Sequence, residues 1–80
     1  MVFDKAQLDK FIDENLPDDL PEKFVKELLV KDLSFSGKLL EIIKYKNPST
    51  EISSEWIEEH IGRRQLIKWL NFYSGLDLVP

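Results

Sequence analysis

The chain has 80 residues, 42% of them hydrophobic and 32% charged, and a net charge of −4 at pH 7. These figures allow one domain with a hydrophobic core and argue against both a disordered chain and a membrane span of ~20 apolar residues. With no cysteine, disulfides, thiolate zinc sites and cysteine nucleophiles are excluded as well.

The opening stretch, MVFDKAQLDK, has neither the basic start nor the apolar run of a signal peptide, so a cytoplasmic location is the expectation. Residues 1–36 carry nine acids against five lysines, whereas residues 37–80 are balanced at six and six. An acidic surface repels phosphate, which disfavours general nucleic-acid binding and anchoring to anionic lipid.

Asp4 and Gln7 have capping-box spacing, with Phe3 and Leu8 at hydrophobic-staple positions, so a helix is predicted to begin after Asp4. Leu8, Phe11 and Ile12 form its apolar stripe, and Asn15-Leu16-Pro17 closes it, because proline disfavours helix in the residue before it. A second helix follows Asp19, with Pro21 in its first turn and Glu22 three residues after the cap. Phe24, Val25, Leu28 and Leu29 form its buried stripe, and it ends near Lys31. Ser34-Phe35-Ser36-Gly37 reads as a turn with Ser36 as N-cap and Phe35 and Leu40 as staple. The third helix then covers about 37–46, with Leu39, Leu40 and Ile43 inward and Ile42 and Tyr45 at the margins.

Asn47-Pro48-Ser49-Thr50 breaks that helix, and Ser53 fits as the next N-cap, with Ile52 and Ile57 as staple and Glu55 at the positive end of the dipole. Gly62 either ends a short helix or is tolerated inside a long one at ~1 kcal/mol. Glu55, Glu59 and Arg63 at four-residue spacing favour one helix over 54–74. At ~100° per residue, Leu66, Ile67, Leu70 and Tyr73 share one arc, while Trp69 and Phe72 point away and Phe72 aligns with Ile57 and Ile61. A helix so widely apolar is either central in a bundle or covered by another chain. Gly75 is read as a left-handed cap, with Leu76 folding back onto the last turn.

No constellation of residues carries a specific chemistry. His60, the only histidine, stands beside Glu58 and Glu59 without a second ligand at helical spacing. Asp18 and Asp19 suit capping better than acid–base work, the serines lack a histidine base, and Ser-Phe-Ser-Gly-Lys lacks the first glycine of a phosphate-binding loop. Ile52 to Leu70 superficially resembles a helix-turn-helix carrying Arg63, Arg64 and Lys68. However, an arginine directly follows Gly62 where an apolar residue is usual, and no three- to four-residue turn is visible.

The expected fold is therefore all-α: a single domain over residues 1–80, a small bundle of four to five helices with a long, largely buried C-terminal helix at its centre. Its core should contain Leu8, Phe11, Phe24, Leu28, Leu40, Ile43, Ile57, Ile67 and Leu70. The expected function is that of a non-enzymatic protein–protein interaction module. Adaptors, small inhibitors, antitoxins and self-associating domains of the death-domain kind share this size and class, which is a fold-level analogy only. Trp69 and Phe72 are the candidate anchors, with Asp13, Glu14, Asp18 and Asp19 as an acidic steering rim. The partner is another protein or a second copy; no cofactor, metal, nucleic acid, membrane or small-molecule substrate is expected. The alternative is a helix-turn-helix-like DNA-binding regulator using Arg63, Arg64 and Lys68.

Overall fold

The computed structural model describes residues 2–75, so the expected fold-back of Leu76 lies outside the described residues. Five helices follow one another: α1 (Lys5–Asn15), α2 (Glu22–Val30), α3 (Phe35–Lys46), α4 (Ser54–His60) and α5 (Arg63–Ser74). The all-α bundle is as expected. Among the described residues, no helix is long and apolar enough to cross a membrane.

Local signals place several ends. At α1 the Gln7 amide donates to the Asp4 carboxylate and the Asp4 amide to the Gln7 side chain, both at 2.9 Å, which completes the capping box. Leu16 is extended (φ −105°, ψ 131°), as the residue before a proline should be, and α1 stops there. Ser53 caps α4 through the Trp56 amide at 3.1 Å, and Gly75 adopts φ 66° at the end of α5, the left-handed conformation that glycine enters without strain.

Two caps fall elsewhere than the sequence reading puts them. Ser34, not Ser36, caps α3, its hydroxyl accepting from the Gly37 amide. Ser36 lies in the first turn of the helix, buried, and its hydroxyl donates to Glu58 Oε1 at 3.0 Å, tying α3 to α4. Helix α2 starts at Glu22 behind Pro21 rather than behind Asp19, and no side chain caps it.

The largest correction concerns residues 54–74. They form two helices, because Ile61 (φ −113°, ψ 124°) and Gly62 (φ −65°, ψ 147°) are extended. The reason is geometric. On one continuous helix the Ile57/Ile61 stripe and the Leu66/Trp69/Leu70 stripe would point about 150° apart, so both could not face α3. The break turns both inward: Ile57, Ile61, Leu66, Trp69 and Leu70 are all buried, and α4 and α5 each pack on α3. Helix α5 also packs on α2.

The centre of the bundle is accordingly α3, not the C-terminal helix. Leu39, Ile42 and Ile43 are 0% exposed, so Ile42 lies at the heart of the core rather than at a margin. Helix α5 buries one face only and leaves Arg64, Lys68 and Phe72 in solvent. Of the expected core, Phe11, Leu28, Ile43, Ile57 and Leu70 are buried, and Leu8, Phe24 and Leu40 are partly buried against it. Ile67 is half-buried and outside the cluster; Leu16, Leu39, Ile42, Ile61, Leu66 and Trp69 complete it.

Gly62 is the N-cap of α5 without any side-chain hydrogen bond, and the first turn that follows has no acid and begins with Arg63 and Arg64, the wrong sign for the positive end of a helix dipole. A Cβ added at Gly62 would meet only Val2 Cγ1, at 3.8 Å. Gly62→Asp should therefore stabilise the domain by about 0.5–1 kcal/mol, read as a raised urea midpoint; an unchanged or lowered midpoint would contradict this account of the α4–α5 junction.

Candidate interaction groove

A groove of about 320 Å³ runs between the end of α1, the loop after it and the last turns of α5. Its walls come from Ile12, Leu16 and Pro17 on one side and from Trp69, Phe72 and Tyr73 on the other, with Asp13, Asp18 and Lys46 among its polar residues. Three contacts build it. Phe11 stacks on Trp69 with ring centroids 5.7 Å apart and planes 14° apart, fixing α1 beside α5. Lys46 Nζ reaches from the end of α3 to the Asp13 and Leu16 carbonyls at 2.9 and 3.1 Å, supplying the cation that α1 lacks in its own last turn. The Tyr73 hydroxyl donates to the Pro17 carbonyl and pins the loop to α5.

Phe11 also belongs to a longer column. It stacks on Trp56 at 5.8 Å, and Trp56 stacks on His60 at 4.2 Å, with Phe3 edge-on to Trp56. His60 Nδ1 lies 2.8 Å from the Trp56 carbonyl, which can only accept, so that nitrogen carries the proton. The histidine is thus a half-buried packing residue of α4, and Phe3 docks over it with its amide donating to the His60 carbonyl at 2.8 Å.

The groove brings together four of the six predicted site residues, Asp13, Asp18, Trp69 and Phe72. Trp69 is a correction: at 8% exposure it is part of the core, because α1 widens the buried arc of α5 and Phe11 covers the indole. It can shape the groove floor, not protrude into a partner. Phe72 is 71% exposed, and Ile12 stands exposed opposite it. Glu14 faces a different hollow, beside Lys10, Phe11 and Trp56, since successive helical residues turn by ~100° and Asp13 takes the groove side. Asp19 is exposed and does not line the groove. Sequence reading missed Leu16, Pro17, Tyr73 and Lys46, whose roles depend on which elements meet.

A second hollow, of about 430 Å³, lies between the start of α3 and the α4–α5 junction. Its polar groups are already engaged: Ser36 with Glu58, and the Arg63 guanidinium 5.4 Å above the Phe35 ring. Among the described residues, no three His, Cys, Asp or Glu side chains gather where they could hold a metal ion. The chain matches no protein-family model, no curated protein and no solved structure.

Two outcomes test this geometry. Trp69→Ala should cost ~3–5 kcal/mol, whereas Phe72→Ala should stay within ~1 kcal/mol of the parent; equal losses in urea denaturation would mean that one of the two rings is misplaced. Burial, with the negative charge of Asp18 nearby, pushes the Tyr73 phenol up from 10.0 to about 12. The raised value means that the folded state holds the proton more tightly than the unfolded one. The stabilisation is therefore fully present below about pH 10 and is lost as pH rises through about 12. Tyr73→Phe should remove this alkaline loss, which urea midpoints measured across that range would show.

Proposed function

We propose that the chain is a non-enzymatic protein-interaction module that docks its partner in the groove between α1 and α5. The observation carrying this reading is Phe72, a large apolar side chain 71% exposed at the lip of an apolar-floored groove, with Ile12 exposed across from it. An isolated exposed leucine needs no explanation, but an exposed aromatic beside a preformed hollow is how binding anchors present themselves. Asp13 and Asp18 form the acidic part of the rim, where charge acts mainly on association rate and partner choice.

A helix-turn-helix DNA reader is the second reading, and the break at Gly62 is the observation in its favour. It separates α4 from α5 and leaves Arg64 and Lys68 exposed on α5. Against it, the link is only Ile61 and Gly62, shorter than the three- to four-residue turn of that motif, and Arg63 is engaged over Phe35.

Affinity capture from the native host, with the parent chain and Phe72→Ala as parallel baits, tests the first reading. A protein retained by the parent and lost with Phe72→Ala is expected; identical captures by both baits would refute the groove as docking site. Fluorescence anisotropy with duplex DNA at about 150 mM salt should show no micromolar complex. A complex that weakens steeply with salt and disappears when Arg64 and Lys68 are neutralised would move the function to α5.

A further inference from the structure

The face that holds the groove has the properties of a surface that matches its own copy, an inference that rests on reading the groove as an interface. Arg64, Lys68 and Phe72 follow one another at four-residue spacing, and all three are exposed, so they form one stripe along α5. Asp13 and Asp18 lie at the groove beside Phe72. Among the described residues, Lys5–Asp9, Lys10–Glu14, Lys26–Glu22 and Lys31–Glu41 form ion pairs, and Asp13, Asp18, Arg64 and Lys68 take part in none of these four.

We propose that two copies of the chain associate through this face about a twofold axis, Phe72 of each entering the groove of the other while Arg64 and Lys68 of each meet Asp13 and Asp18 of the other. A twofold contact uses one patch twice, so that patch must contain both halves of every complementary pair. This one does, with an apolar knob beside an apolar hole and a basic stripe beside an acidic rim. A uniformly basic partner would meet Arg64 and Lys68 with like charge, and a uniformly acidic one would meet Asp13 and Asp18 so. A surface with both signs in inverted order matches, and a twofold-related copy has that order by construction.

Sedimentation velocity on the full chain, from about 1 μM to 1 mM, should show a concentration-dependent dimer. Phe72→Ala should weaken it at least about tenfold with unchanged far-UV circular dichroism. Charge reversal supplies a second arm. A chain with Asp13→Lys and Asp18→Lys and a chain with Arg64→Glu and Lys68→Glu should each be monomeric, because stripe and rim then carry the same sign, while their mixture should form a one-to-one heterodimer. A parent chain that stays monomeric at about 1 mM, a dimer indifferent to Phe72→Ala, or folded reversed chains that fail to pair on mixing would each overturn the proposal. A monomer that captures a foreign protein in a Phe72-dependent way would overturn self-association and leave the groove standing as a docking site. Identical host captures by both baits with an intact Phe72-dependent dimer would do the opposite for a foreign partner.

Discussion

Two apolar stripes that cannot share one helix face, Ile57/Ile61 and Leu66/Trp69/Leu70, must both reach α3, and much of the molecule depends on how that is resolved. The chain resolves it by abandoning helical geometry for two residues, Ile61 and Gly62, so that α4 and α5 pack on α3 separately. Losing the continuous helix sacrifices a few backbone hydrogen bonds and leaves α5 with two arginines at its positive end. In exchange both stripes are buried, and burial of each large apolar side chain is worth roughly 1.5–3 kcal/mol. Phe72 is the remainder of that solution. It would line up with Ile57 and Ile61 on an unbroken helix, and once the break rotates α5 it stands 71% exposed, edge-on to Tyr73.

Helix α1 is attached differently. Its link to the rest runs through rings and one cation: the column Trp69–Phe11–Trp56–His60, the Phe3 edge contact, and Lys46 on the carbonyls at the end of α1. Stacked aromatics bury large areas while fixing an angle, so the position of α1 relative to α5 is set by Phe11 on Trp69. The groove is the space left where α1 ends before Pro17 and α5 continues past it. Its shape thus follows from the same stack that makes Trp69 a core residue, which is why a buried tryptophan and an exposed phenylalanine three positions apart belong to one site.

The charge distribution fits this division. The intrahelical pairs on α1 and α2 are exposed and contribute little to stability, and Lys31–Glu41 joins α2 to α3 at 2.8 Å. Asp13, Asp18, Arg64 and Lys68, none of them in these pairs, lie around the face where Ile12 and Phe72 stand exposed. Charge beside exposed apolar surface gives that face both an attraction and a means of discrimination.

The sequence by itself determined whatever is decided within a few residues: the all-helical class, the Asp4–Gln7 box, the stop at Leu16-Pro17, the Ser53 cap and the left-handed Gly75. Each is set by local backbone chemistry. It also held the spacing that separates the 57/61 stripe from the 66/69/70 stripe, and the ~100° step that turns Glu14 away from Asp13. Weighing the acid–base spacing of Glu55, Glu59 and Arg63 above that separation, at a few tenths of a kcal/mol against kilocalories of burial, produces the wrong long helix. Tertiary structure alone decided the rest. Ser34 and Ser36 are equivalent as caps until Glu58 arrives to engage one of them, and Trp69 and Phe72 both leave the main apolar arc until Phe11 covers the first. Leu16, Pro17, Tyr73 and Lys46 become groove residues only because α1, α3 and α5 converge, and a contact between elements far apart in the chain leaves no mark in the local pattern of any of them.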